Sequence, residues 1–346
     1  MPDNFRMPHS LDRASRGVAP GSPLIVRLRN WVGDVTLSVA ALRRLASAGH
    51  ALQLVGKGWA ARLLAGEGWP VHTLPRGTRE RVALYRRLRD EALKVDPGFD
   101  GRVNTVVLPT SFSSALEIRL AGLRGLGYAH EGRSLLLKQA LRKQTGHHEM
   151  QHDWHLVQTL LGTQEPLPPH AVLAPSDDAR QRVQALLTAH GLDRPFVVLC
   201  PFAGGTFEKV DKRWPHFAEF TRVAAVEWGL PLVLCPGPGE GDAARRDFPQ
   251  ALVLDGVGLD DYAALLERCA LMVSNDTGPG HVAAAVGAPL LSVLGPTDPV
   301  QWGARGPRVR ILRAGPDASG LAAPAGPVVW PGVAQTIEAG RAMARR

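Results

Sequence analysis

Short apolar runs rich in β-branched residues alternate with helix-period segments along most of this chain, and the alternation halts once and restarts. The first series begins with 24-LIVRL-28. A helical pattern follows, with Val35, Val39, Leu42 and Leu45 on one face and Gly49 as its stop. Strands are then expected at 51-ALQLVG-56 and 103-VNTVVLP-109, and a helix over 113-SSALEIRLAGL-123. The stretch 162-GTQEPLPPHAVLAPS-176 is Pro-rich without periodicity and reads as a linker. The second series comprises 196-FVVLC-200, a helix from Trp214, 231-PLVLC-235, 271-LMVSN-275 and 289-PLLSVLG-295. Strands that alternate with helices form a mostly parallel sheet, because parallel neighbours need a crossover connection. The sequence therefore predicts an α/β chain of two Rossmann-like domains facing a cleft. Residues 1–21 are expected to be a disordered leader, 22–165 the first domain, 166–192 a linker with the start of the second, and 193–346 the second domain. A last helix near 334–345 is expected to pack back on the first domain.

Bulk properties narrow the class further. No apolar run approaches the roughly 20 residues that span a bilayer. The first 21 residues are polar, broken by Pro and Gly, and lack the apolar core of a secretory signal, so a cytoplasmic location is expected. Cys200, Cys235 and Cys269 are widely spaced in apolar surroundings, which argues for reduced core thiols. The net charge of +8 is unevenly distributed. Residues 1–170 carry 23 Lys and Arg against 14 Asp and Glu, and the remainder 17 against 18. A basic first half suits an anionic partner such as a phosphorylated lipid, a charged membrane surface or nucleic acid; a solvated basic helix accounts for the charge alone equally well. No recognition motif and no aromatic–basic interleaving supports the nucleic-acid reading, and none is expected as a partner.

Chemistry concentrates in the loops after strands. In 271-LMVSNDTGPGHVAAAVG-287 a buried strand ends at Asn275-Asp276, and Thr277, Gly278, Pro279 and Gly280 turn into a helix of small residues, followed at once by His281. Small residues let backbone approach a ligand, and the first-turn N–H groups attract phosphate; a βα turn capped by Asp276 or Thr277 explains the turn without a ligand. The loop 201-PFAGGTFEKVDKRWP-215 offers Gly204, Gly205 and Thr206 as donors and Lys212 and Arg213 as cations, a composition suited to a pyrophosphate. It is not a P-loop, because G-x-x-x-x-G-K-[ST] is absent. In 237-GPGEGD-242, Glu240 stands where open α/β sheets bind a ribose or base, although the glycine spacing is not that of a dinucleotide fingerprint. Asp34, at the start of the first helix, is either an N-cap or a carboxylate facing the cleft, where it would suit general-base work on a hydroxyl.

One pattern points elsewhere. His148-Glu149-Met150-Gln151-His152 is an H-E-x-x-H sequence, whose two His fall on one helix face and whose Glu can activate a metal-bound water. The segment is His-rich, and nothing else offers a third ligand at protease spacing. His147, His148, His152 and His155 are read as polar positions on a helix, with adventitious metal binding by His148 and His152 left open. No metal site is assigned.

Together, 31-WVGD-34, 108-LPTSFSSAL-116, 211-DKRWPHFAE-219 and 275-NDTGPGHVAAAVG-287 with 295-GPTDP-299 resemble the heptosyltransferases, family 9 of the glycosyltransferases. The resemblance runs from about Leu24 to Thr297. It implies a GT-B fold and an inverting, metal-independent transfer of heptose from ADP-heptose, without a cofactor, to the inner core of lipopolysaccharide. The donor is expected on the second half. The acceptor, a phosphorylated Kdo–lipid A or heptosylated core, is expected on the basic first half, with peripheral contact to the inner membrane. By position, Asp34 matches the base, Lys212 the lysine that neutralises the pyrophosphate, and Asp276, Thr277, Gly278 and His281 the donor-binding turn. Thr206 and Glu240 are further donor-side candidates, and Ser111 and Arg133 are placed on the acceptor side. Another nucleotide sugar, or a non-catalytic nucleotide-sugar-binding module, would share the same motifs.

Overall fold

The computed structural model describes residues 21–204, 206–207, 209–314 and 328–344, with Thr206 and Phe207 described in backbone only. The leader expected over residues 1–21 thus lies almost wholly outside the described residues.

The first half is one parallel sheet of β1 (Ser22–Arg27), β2 (His50–Gly56), β3 (Val71–Thr73), β4 (Thr105–Val107), β5 (Gly125–Tyr128) and β6 (Gln139–Leu141), in the order β3-β2-β1-β4-β5-β6. Its helices are α1 (Val32–Ser47), α2 (Ala60–Leu63), α3 (Thr78–Val95), α4 (Phe112–Leu120) and α5 (Glu149–Leu161). After an irregular stretch, α6 (Asp177–Ala189) leads to the second sheet. That sheet contains β7 (Val197–Cys200), β10 (Leu232–Leu234), β11 (Leu252–Val253), β12 (Leu271–Asn275), β13 (Leu290–Leu294) and β14 (Val309–Arg313). A two-stranded hairpin, β8 (Thr206–Phe207) and β9 (Val210–Asp211), leaves the loop after β7. The remaining helices are α7 (Phe217–Glu227), α8 (Gly241–Asp247), α9 (Leu259–Arg268), α10 (Gly278–Ala285), α11 (Pro299–Trp302) and α12 (Val333–Ala344).

Every pairing within the two large sheets is parallel. The second sheet runs β11-β10-β7-β12-β13-β14, so each half repeats the same doubly wound order. Such a sheet opens a crevice where its strand order reverses, between β1 and β4 in one half and between β7 and β12 in the other. The strands there read as unbroken apolar runs because helices cover both faces.

Among the described residues the apolar side chains form three cores. One lies between the first sheet and α3–α4 and includes Ile25, Val55, Tyr85 and Ile118. A second lies between the second sheet and α7, with Trp214, Phe217 and Phe220 packed edge to face. The third is continuous across both halves, joining Leu24, Val35 and Leu42 to Val198, Val282 and Ala283. The last helix departs from expectation. Ile337 and Ala339 of α12 are buried in the second core, and Gly340 lies against the Trp228 ring, so α12 packs on the second half. Its short apolar face fits beside α7, where glycine lets the indole approach the helix backbone.

Candidate active site

Asp34 stands in the third position of α1, not at its N-cap, which is Trp31 without a side-chain bond. A carboxylate in the first turn is favoured by the helix dipole. Burial nevertheless raises its pKa to about 6. Arg29 opposes that rise, Asp153 and Glu149 reinforce it, and Lys143 opposes it.

These neighbours form a compact ionic cluster. Arg29 leaves β1 and donates through Nη1 to Glu149 Oε2 at 3.0 Å and through Nη2 to Asp153 Oδ1 at 2.8 Å. Lys143 Nζ donates to the other Glu149 oxygen at 2.7 Å. Glu149 and Asp153 are spaced i,i+4, so both carboxylates point from one face of α5 toward Arg29. The H-E-x-x-H segment is therefore an ion-pair platform. His148 is the N-cap of α5: its Nδ1 accepts from the Met150 amide at 3.2 Å and its Nε2 lies 2.9 Å from the Gly303 carbonyl of the second half. Both ring nitrogens are engaged in a buried setting, and burial lowers the His148 and His152 pKa values to about 4. Of the four histidines read as polar helix positions, His152 and His155 lie on α5, His148 caps it and His147 precedes it; His148 and His152 are buried, and His155 is exposed. Among the described residues no group of His, Cys, Asp and Glu is arranged to hold a metal ion.

Across the interface, the loop after β12 meets the start of α1. A Cβ on Gly278 would lie 3.0 Å from the Gly33 nitrogen and 3.0 Å from Val32 Cβ. A Cβ on Gly33 would lie 2.8 Å from His281 Cδ2. Glycine on both sides is what lets the two helix N-termini touch. Burial keeps the His281 imidazole neutral, against the pull of Asp276 and with the push of Lys212, and among the described residues its Nδ1 has no hydrogen-bond partner. Asp276 Oδ2 accepts from Thr297 Oγ1 at 2.8 Å and faces Lys212 Nζ at 3.4 Å. Thr277 is the N-cap of α10 without a side-chain bond. Buried Asn275 anchors the lysine loop: its Oδ1 accepts from the Trp214 amide at 2.9 Å and its amide donates to the Pro201 carbonyl.

A cavity of about 910 Å³ opens beside this junction, at the carboxyl ends of β7 and β10. Thr277 and Pro279 line it with Glu240 and, from the first half, Val32, Trp59 and Arg62. Glu240 Oε2 accepts from the Gly237 amide at 2.8 Å and so also holds the turn on which it sits. Cys200 and Cys235 line the same cavity, and burial pushes both thiols to about 12, which leaves them inert. Sequence reasoning missed Trp59, Arg62, Arg29, Lys143 and Asp153. Their pairings span up to 124 residues of chain, and no local spacing signals them.

The two acceptor-side candidates separate. Ser111 is exposed as the N-cap of α4 on the loop after β4. Arg133 is fully buried and donates through Nη1 to the Pro109 carbonyl, the Ser111 carbonyl (3.0 Å) and Ser114 Oγ (3.2 Å). Burial lowers its pKa to about 10. It braces the loop from beneath and has no surface to offer, which corrects its expected contact with an acceptor. Thr206 belongs to β8 by its backbone, and its side chain is outside the described residues.

Two Rossmann-like halves meeting at their strand-order reversals define the GT-B architecture. The family model of glycosyltransferase family 9 (heptosyltransferase) matches residues 103–319, and the chain belongs to that family. It is 27% identical over 298 residues to lipopolysaccharide heptosyltransferase 2 of Escherichia coli K12, covering 78% of this chain and 82% of that enzyme. It is 28% identical over 166 residues to lipopolysaccharide heptosyltransferase 3 of the same strain; that match covers 44% of this chain and 47% of the enzyme, about half its length. In fold it is similar to the E. coli ADP-heptose lps heptosyltransferase II, with a TM-score of 0.74 at 23% identity, over 93% of this chain and 98% of that one.

Proposed function

We propose that this chain transfers heptose from ADP-heptose to the inner core of lipopolysaccharide, with inversion and without a metal ion. The observation that carries the reading is the meeting of Val32-Gly33 with Gly278 and His281, which sets the first turn of α1, where Asp34 stands with a raised pKa, beside a cavity of about 910 Å³ that Val32 and Thr277 both line. Family membership and the named relatives supply the sugar and the acceptor class.

In this reading the second half takes the donor. The cavity receives the nucleotide, and Lys212, the Thr277 hydroxyl and the α10 N-terminus lie where the diphosphate would sit. Asp34 accepts the proton of an acceptor hydroxyl as the oxygen attacks the anomeric carbon. The bond from that carbon to the β-phosphate oxygen breaks, and ADP leaves with the electron pair. Attack opposite the leaving group inverts the centre. The acceptor's phosphates are taken up by exposed cations of the first half such as Arg76, Arg79 and Arg142. Trp31 at the N-cap of α1, Phe112 at the first position of α4 and Leu135 in the helical turn between β5 and β6 are exposed at 68%, 43% and 93%. They offer the first half apolar contacts for the cytoplasmic surface of the inner membrane. Among the described residues no helix is long and apolar enough to cross it. Flotation with anionic vesicles, lost on Trp31→Ser with Leu135→Ser, tests that contact.

The transfer itself is tested by mass spectrometry of a monoheptosylated Kdo–lipid A acceptor incubated with ADP-heptose and excess EDTA, wild type beside Asp34→Asn. One added heptose in the wild type, lost in the variant, is expected. No added heptose with ADP binding intact would point to another nucleotide sugar or acceptor, or to a binding module without transfer.

A further inference from the structure

We propose that Trp59 and Arg62 of the first half grip the donor's nucleobase against the turn before α9 of the second half, and so select a purine over a pyrimidine. The inference rests on the reading that the cavity receives the donor nucleotide.

Sheet order places the base. Thr277 follows β12, whereas the turn Gly256-Val257-Gly258 follows β11 at the far edge of the same sheet, and both turns line the cavity. With β7 and β10 between them, the two turns stand three strand spacings apart, roughly 14 Å. A diphosphate held at Lys212 and Thr277 therefore directs its nucleoside toward the β11 edge. There the first half supplies the facing wall, because Trp59, the N-cap residue of α2, and Arg62 within α2 both line the cavity. Trp59 already has helical backbone angles, so the two side chains, three residues apart, share one face.

The wall crosses the boundary and is fixed. A Cβ on Gly258 would lie 3.0 Å from Arg62 Nη1 and 3.7 Å from its Cδ, so the arginine lies along this turn of the other half. Ala60 and Leu63 of α2 are buried, and Trp59 packs on the core shared by both halves. Glu67, just after α2, accepts from the Ala174 amide at 3.2 Å and from Arg43 at 2.8 and 2.9 Å. Ala174 belongs to the stretch joining the halves, so α2 is pinned where they meet.

Charge indicates what the wall binds. Arg62 and Arg245 are the cations lining the cavity. Arg245 is paired with Asp255, whereas among the described residues Arg62 has neither ion pair nor hydrogen bond. It sits beside the N-cap of α9, where the helix dipole disfavours a cation. The first-turn carboxylates of α9 are engaged elsewhere, Asp260 by Ser176 and Asp261 by Arg182. A guanidinium so placed gains from a π face and from ring-nitrogen acceptors, and the neighbouring indole adds a flat apolar surface. A purine offers a larger stacking face than a pyrimidine.

The test is calorimetric titration of the full chain with ADP and with UDP, in wild type, Arg62→Ala, Arg62→Lys, Trp59→Leu and Lys212→Ala. Arg62 is exposed and Trp59→Leu keeps apolar packing, so these variants are expected to fold. Arg62→Ala and Trp59→Leu are each expected to weaken ADP about 5- to 20-fold and UDP less than about threefold, which narrows the preference for ADP. Arg62→Lys keeps the charge and loses the plane, and is expected to behave as Arg62→Ala. Lys212→Ala is expected to weaken both nucleotides alike. Equal losses of ADP and UDP in Arg62→Ala, restored by Arg62→Lys, would overturn the proposal, since Arg62 would then act as a charge on the diphosphate. Unchanged affinities in Arg62→Ala and Trp59→Leu, with the Lys212→Ala loss intact, would overturn it and leave the cavity as the nucleotide site. ADP binding that none of these variants weakens would remove that reading as well.

Discussion

The two strand-order reversals share one topology and differ in chemistry. In the first half the crevice carries charge: Asp34, with a raised pKa, and the ion pairs of Arg29 with Glu149 and Asp153 and of Lys143 with Glu149. In the second half it carries space and backbone: a cavity of about 910 Å³, a glycine-rich turn and small residues, with Lys212 held against Asp276. Repeating a doubly wound sheet fixes where ligands can bind; the residues after each strand decide whether the site moves a proton or holds a nucleotide. Neither half is complete alone, because Val32, Trp59 and Arg62 of the first half line the cavity of the second.

Removing the charged side's central group is expected to have the largest effect. Asp34→Asn should lower kcat by about 10²- to 10⁴-fold with ADP affinity unchanged by calorimetry; a loss of affinity instead would mean that the first half also holds the donor. Next comes the junction. Gly278→Val places side-chain atoms where Gly33 and Val32 sit, so the halves must part. A turnover loss of about 100-fold is expected, with a larger radius of gyration by small-angle scattering. Equal turnover would show that contact between the helix ends is dispensable. Lys212→Ala should cost about 10-fold or more in kcat/KM for the donor, from one lost charge at the diphosphate.

The smaller effects concern stability. Arg133→Ala opens a cavity and orphans the Pro109 and Ser111 carbonyls, so a loss of about 2–4 kcal/mol in urea unfolding is expected. The acceptor KM of the surviving folded enzyme should not change; a large rise would return Arg133 to the acceptor surface. Asp34→Asn should act in the opposite direction. The folded pKa of Asp34 is raised, so its charge costs stability fully above about pH 6 and not at all below the unfolded value. The variant is expected to gain about 1–2 kcal/mol at pH 8, discounted for partial exposure, and nothing near pH 3.

Much of this was legible in the sequence because parallel strands buried on both faces announce themselves as apolar runs. The segments 24–28, 51–56, 196–200, 271–275 and 289–295 lie on β1, β2, β7, β12 and β13. The edge strands β3, β6, β11 and β14 lack that signal, since each pairs on one side only: the first three run two or three residues, and β3, β6 and β14 carry polar residues such as His72, Gln139 and Arg310. Asp34, Lys212, Asp276, Thr277 and Gly278 could be singled out because turn chemistry is local. The α5 cluster could not. His148-Glu149-x-x-His152 spells a zinc pattern, and only the tertiary fold reveals that Glu149 answers Arg29, 120 residues earlier. Arg133 misled for the same reason: a loop arginine reads as exposed until three acceptors close over it.

The central claim is that a base on one half acts on a sugar held by the other. It is tested most directly by the single-turnover rate of heptose transfer, measured by rapid quench from pH 5 to pH 8 at saturating ADP-heptose, in wild type and Asp34→Asn. The wild-type rate should rise through one ionisation near pH 6, as Asp34 loses its proton, and then level off. The variant should be slow and flat across the range. An Asp34→Asn rate that keeps the wild-type magnitude and the same midpoint would contradict the account.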